Sequence, residues 1–237
     1  MYKGYKIRPP FFEIGPKCYM WGQRFLKLCL AVDEIAGRYD LDVIVTPQYA
    51  DIRLIASNTK LLHVYAQHAD YLEPGRGLGS VLPESLRDAG AVGVMLNHAE
   101  KKLDLETIAK TVARCDEAGL ATIVCADSVA EVGAIAKIGP NLMVAEPTEL
   151  IGTGVAADMG YVKDTIESVR AINPDIMVLQ GAGISGPSDV ADVIRAGAMA
   201  TGVTSAVMKA ADPEKAAEDL LRTLREVWDE VHPGGAL

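Results

Sequence analysis

Short apolar runs rich in β-branched residues recur eight times along this chain, at 11–15, 42–46, 63–67, 92–96, 121–125, 142–146, 176–180 and 198–203. Runs of this length, bounded by turn-forming residues, predict buried strands. Between them lie alanine-rich or amphipathic segments of helical period, for example 104–118 and 128–138, and a last helix is expected over 212–231. Asp212-Pro213-Glu214-Lys215 predicts the start of that helix, with Asp as N-cap and Pro in the first turn. Eight β/α units in 237 residues predict an α/β fold, a closed parallel (β/α)8 barrel with its functional groups at the C-terminal strand ends. No linker rich in Gly, Ser or charge divides the chain, so residues 1–237 are expected to form a single barrel domain.

A hydrophobic content of 49% is ample for one continuous core. The N-terminal residues lack the apolar run of a signal peptide and no stretch approaches membrane-spanning length, which predicts a cytoplasmic protein. Cys18, Cys29, Cys115 and Cys125 are widely spaced without a Cys-x-x-Cys pair, so reduced thiols are expected instead of a zinc knuckle or a disulfide framework. A formal net charge of -9 disfavours nucleic acid and anionic membranes as partners, because both require a basic face. A small anionic ligand remains open: a few local donors outweigh a distant, screened charge.

Polar residues collect at the expected strand ends. Val144-Ala-Glu-Pro-Thr-Glu-Leu-Ile-Gly-Thr-Gly154 places the Glu146 carboxylate at the end of an apolar strand, followed by a glycine-flanked loop. A strand end aims a base, a loop over 147–151 can close as a lid that excludes water, and backbone N–H groups near Gly152 can grip an anion. Lys17 follows the first strand, Gln67-His68 the third, Asn97-His98-Ala99-Glu100 the fourth, Ser185 the seventh and Ser205 the eighth. A base, a neutral donor, a cation and an anion cradle on one rim suffice for proton abstraction next to a carbonyl on a phosphorylated substrate. Gly181-Ala-Gly183-Ile-Ser-Gly186 also satisfies the dinucleotide pattern G-x-G-x-x-G. That pattern belongs after the first strand of a nucleotide fold, whereas here it follows the seventh and meets Pro187 at once. The loops after strands seven and eight of a barrel commonly bind phosphate, which accounts for the same glycines.

Gln67-His68-Ala69-Asp70, Leu-Asn-His-x-Glu at 96–100, Glu-Pro-x-Glu-Leu-Ile-Gly-Thr-Gly at 146–154 and Gly181-Ala-Gly-Ile-Ser185, in this order, resemble the triosephosphate isomerase family. The resemblance runs from about 11 to 231 and is nearest to the short archaeal-type branch. It implies the TIM-barrel architecture and a cofactor-independent, metal-free aldose–ketose isomerase of a small phosphorylated sugar, assembled as a homodimer or homotetramer. By the same resemblance Glu146 is the base that shuttles a proton between adjacent carbons, and His98 is the electrophile on the carbonyl. Lys17 would stabilise the enediolate and hold substrate, with Glu100 as its supporting carboxylate. Gly152, Ser185, Ser205 and Ala206 would bind the phosphate.

Four positions depart from the family pattern. Gly15 stands for an expected Asn, Ala99 for a Ser, Leu78 for a Thr that reaches across the dimer, and Ala206 for a Gly. Gly15 and Leu78 together predict a subunit contact repacked with apolar groups near Lys17. These changes leave two further readings open, an isomerase of a related sugar phosphate such as a tetrulose phosphate, and a noncatalytic phosphate-binding barrel.

Overall fold

The computed structural model describes residues 1–151, 153, 158–181 and 183–234. Its strands are β1 (Phe11–Ile14), β2 (Asp42–Val45), β3 (Leu62–Ala66), β4 (Gly93–Leu96), β5 (Ala121–Ala126), β6 (Leu142–Ala145), β7 (Met177–Gln180) and β8 (Ala200–Val203). Every pairing is parallel, the strands follow one another in chain order, and β8 closes on β1 with Phe11 beside Ala200 and Glu13 beside Gly202. The result is the expected closed eight-stranded barrel. Around it run α1 (Gly22–Tyr39), α2 (Ile52–Ala56), α3 (Pro83–Asp88), α4 (Leu105–Ala118), α5 (Val129–Ile138), α6 (Met159–Ile172), α7 (Pro187–Arg195), α8 (Ser205–Met208) and α9 (Pro213–Val231).

Helix boundaries follow local chemistry. Asp104, Ser128 and Asp212 each accept a backbone N–H three residues on, from Thr107, Glu131 and Lys215, which places α4, α5 and α9 one residue inside the expected spans. The α9 face carrying Ala217, Leu220, Leu221, Leu224, Val227 and Trp228 is buried, at the spacing of one helical stripe. No helix among the described residues is long and apolar enough to cross a membrane.

Successive strand residues face opposite sides of a sheet, and the two apolar clusters sort accordingly. Phe12 and Ile14 of β1 join the layer between sheet and helices, whereas Phe11 joins Ile44, Tyr65, Ile123, Val144 and Leu179 inside the barrel. By the same alternation Glu13 and Gly15 face inward from β1, and Glu146 continues the inward row of Leu142 and Val144. The barrel interior is thus filled with apolar side chains at its N-terminal end and changes to polar groups toward its C-terminal rim.

Candidate active site

Glu146 is the first residue past β6, and its backbone N–H donates to the carbonyl of Ala126 on β5 at 2.9 Å. That bond extends the strand pairing by one residue and fixes the carboxylate on a rigid base. The side chain is only 14% exposed. Burial raises its pKa above the ordinary glutamate value, against the opposing pull of Lys17.

His98 is positioned by the residue before it. Asn97 sits at φ +58, in the left-handed region that non-glycine residues rarely occupy. Its amide holds it there: Nδ2 donates to the Cys125 carbonyl at 2.9 Å and to Glu131 Oε1 at 3.0 Å, while Oδ1 accepts from the Leu103 N–H at 2.8 Å. The His98 ring then accepts the Glu100 N–H on Nδ1 at 3.1 Å. An accepting Nδ1 leaves the proton of a neutral imidazole on Nε2. Nε2 lies 4.0 Å from Glu146 Oε2, so the donor and the carboxylate face one another. Burial, then the positive charge of Lys17, lowers the His98 pKa to about 4, which keeps the ring neutral.

Lys17 also sits at positive φ, +46. Its carbonyl accepts from Gln48 Nε2 at 2.7 Å and Gln67 Nε2 at 3.2 Å, and Gln67 Nε2 also reaches the Thr46 carbonyl at 2.9 Å. These amides tie the turn after β1 to the ends of β2 and β3. The Lys17 ammonium meets Glu100 Oε1 at 2.7 Å. With Glu100 well exposed this pair adds little stability, and its consequence is to aim the cation. The Lys17 hydrogen bond holds the Glu100 carboxyl below its ordinary pKa.

Lys17, His98, Glu100 and Glu146 all line one cavity of about 550 Å³ at the C-terminal mouth of the barrel, and Ser185, Ser205 and Ala206 line it from the β7 and β8 side. His68 does not join them. It pairs with Asp70, which in turn accepts the Val81 N–H at 2.7 Å and so holds the loop after β3. Ser205 and Ala206 open α8, where the first N–H groups of a helical turn have no carbonyl within it to bond. Ser185 is engaged: its N–H and its Oγ–H both donate to Asp189 Oδ2 at 2.7 Å. An incoming anion would therefore replace one acceptor with another at that N–H. Gly152, Gly154 and Ala182 lie outside the described residues, and the loop before them holds a short 3-10 turn at Thr148–Leu150. Among the described residues no three His, Cys, Asp or Glu side chains converge in a way that could hold a metal ion.

Within the chain, the surroundings of Gly15 are polar. A side chain there would meet polar groups, not apolar ones: its Cβ would stand 2.8 Å from Glu13 Oε1 and 3.1 Å from Thr46 Oγ1. The neighbours come from the same strand and the next one, while Leu78 stands fully exposed. Gly15→Asn is therefore expected to push Glu13 off its Thr46 hydrogen bond and to destabilise the fold by about 1–3 kcal/mol. Thermal melts would show the loss relieved in the Glu13→Ala/Gly15→Asn double variant; equal melting points for the single and double variants would refute the coupling.

Comparison with known proteins agrees with this geometry. The triosephosphate isomerase family model matches residues 14–222. The chain is 37% identical to the triosephosphate isomerase of Methanothermus fervidus over 203 residues, covering 84% of this chain and 91% of that protein. It is 34% identical to that of Sulfolobus acidocaldarius over 220 residues, covering 91% and 95%. The crystal structure of triosephosphate isomerase from Bartonella henselae superposes with a TM-score of 0.74 at 16% identity, covering 94% of this chain and 99% of that one, a likeness of fold. The chain belongs to the triosephosphate isomerase family.

Proposed function

We propose that this protein interconverts dihydroxyacetone phosphate and glyceraldehyde 3-phosphate through an enediolate, with Glu146 as base and His98 as neutral electrophile. The observation that carries the assignment of roles is the pairing of Glu146 Oε2 and His98 Nε2 across 4.0 Å at the cavity wall, with the Lys17 ammonium on the same rim.

Glu146 removes a proton from the terminal carbon of the ketose, and the electron pair moves into the carbon–carbon bond while the carbonyl oxygen gains charge. Nε2–H of His98 donates to that oxygen, and Lys17 offsets the charge as it develops. Glu146 then returns the proton to the adjacent carbon, and proton exchange between the two oxygens through His98 completes the aldose. Every proton removed is returned, so the reaction needs no oxidant or cofactor. Ser205 and Ala206 at the start of α8, Ser185 after exchange of Asp189, and Gly152 hold the phosphate. Closure of the loop over 147–151 dehydrates Glu146 and keeps the enediolate from shedding phosphate.

Incubation with each triose phosphate in deuterium oxide tests the reading directly. Isomerisation with solvent deuterium appearing on the carbon next to the carbonyl is expected. Conversion without deuterium in either product would point to direct hydride transfer and remove Glu146 as a proton carrier. Binding of triose phosphate with neither conversion nor exchange would leave only the noncatalytic barrel.

A further inference from the structure

Glu13 is a buried acid in the middle of a four-residue apolar strand, and the isomerase mechanism makes no use of it. An ionisable side chain in such a position is costly unless the surroundings are built for it. Here they are. Its register partner on β8 is Gly202, where a Cβ would come within 2.9 Å of both Cβ and Oε2 of Glu13 and 3.0 Å of its backbone carbonyl. Gly15 leaves space on the other side. Thr46 donates its hydroxyl to Oε1 at 3.0 Å. Oε2 has no hydrogen-bond partner among the described residues, and Glu13 lines the same cavity as Lys17, His98 and Glu146.

The depth of Glu13 decides which part of a substrate it can meet. The proposed phosphate donors stand at the rim beyond β7 and β8, and the reacting carbons belong between His98 and Glu146. Glu13 lies two residues deeper along β1 than Gly15. A substrate anchored by its phosphate at the rim therefore directs its opposite end toward Glu13. We infer that Glu13 is a specificity-determining residue that hydrogen-bonds the substrate's terminal oxygen, on the carbon farthest from the phosphate. This rests on the isomerase reading.

The chemistry of that oxygen matches a neutral carboxyl. In the ketose it is a hydroxyl, which donates; in the aldose it is a carbonyl, which only accepts. A protonated Glu13 can accept from the first and donate to the second through Oε2, whereas a carboxylate can only accept. Burial, reinforced by the negative charge of Glu146, raises the Glu13 pKa to about 8, against the Thr46 hydrogen bond and the charge of Lys17. A further ionisable neighbour is the buried Cys125 thiol, whose own pKa burial drives upward and which stays uncharged. The carboxyl thus supplies a polar group at the floor of a site in which position 15 has no side chain.

The test compares the parent with Glu13→Gln and Glu13→Ala. Turnover of both triose phosphates is followed from pH 6 to 10, together with inhibition by glycerol 3-phosphate and propane-1,2-diol 1-phosphate, which differ only in the terminal hydroxyl. The parent is expected to prefer the hydroxylated inhibitor by about tenfold, the worth of one hydrogen bond, and the Ala variant to lose that preference. Parent turnover should fall as pH rises through about 8, because the deprotonated form can no longer donate. The Gln variant, which donates and accepts at every pH, should lack that fall. Retention of both the preference and the alkaline fall in folded Glu13→Ala would overturn the inference. If the Ala variant does not fold, the Gln profile decides, and an unchanged alkaline limb overturns it. A parent that turns over neither triose phosphate would sink the isomerase reading itself, whereas an active parent with Glu13-independent behaviour sinks only the role of Glu13.

Discussion

Shortening Glu146 to aspartate is expected to lower turnover by about 10²–10⁴-fold with a much smaller change in KM. The backbone at this position is held by the N–H bond to Ala126, so the strand will not move to compensate. The carboxylate instead retracts by roughly 1.5 Å, one carbon–carbon bond. A displacement of about 1 Å is enough to cost on the order of 10²-fold when a reacting group must meet its proton in line. In the proposed mechanism binding depends mainly on the phosphate, which Glu146 does not hold, so KM should respond less. The pH profile supplies an independent sign. Glu146 must be ionised to act, and burial raises its pKa, so the acid limb of kcat/KM should lie above the pH expected for a free glutamate. An aspartate variant with unchanged kcat would remove Glu146 from the proton transfer.

The parts of this architecture legible in the sequence are those encoded by local periodicity. Each of the eight apolar runs became a strand, and Lys17, Glu100 and Glu146, singled out because chemistry at a strand end is a local signal, line one cavity. Strand limits moved by a residue or two where an end residue bonds outside the sheet, as at Ala198, which lies ahead of β8 and donates its N–H to the Val193 carbonyl of α7. Asn97 stood in a recognised string, but its work of anchoring His98 depends on Cys125 and Glu131, which only the closed barrel brings to it. Asp189 carried a usable signal, an acid three residues after Gly186 at a helix start, where it accepts the Gly186 and Ser185 N–H groups. Glu13 carried none. In Phe-Phe-Glu-Ile it reads as the polar member of an alternating strand, and the space that admits it is vacated by Gly202, at the far end of the chain.

Replacing His98 with glutamine should lower kcat by about 10²–10⁴-fold, the usual worth of a positioned proton-transfer group, because glutamine keeps a donor but cannot pass a proton. Triosephosphate isomerase is itself the standard example of a neutral histidine in this role; in this chain the tautomer follows from the hydrogen bond that Nδ1 accepts from Glu100. With Nδ1 occupied, the Nε2 proton points across to Glu146, where the carbonyl oxygen and the carbon losing its proton must both fit. A neutral donor suits the step because the enediol it serves is itself a weak acid, and a matched donor can pass the proton between the two oxygens without stalling in an imidazolium. Glutamine can donate but cannot relay, so kcat should fall far more than affinity for a phosphorylated inhibitor. Imidazole nitrogen resonances of the free protein give the second check. With a pKa lowered from 6.5 to about 4, the ring should stay neutral and protonated on Nε2 throughout pH 5.5–9, while unfolded chains take up a proton below about 6.5. Folding stability attributable to His98 is therefore complete above that pH and is lost progressively as pH falls toward 4. A resonance that titrates near 6.5, or a proton found on Nδ1, would overturn the assignment of His98 as the neutral electrophile even if the glutamine variant proved inactive.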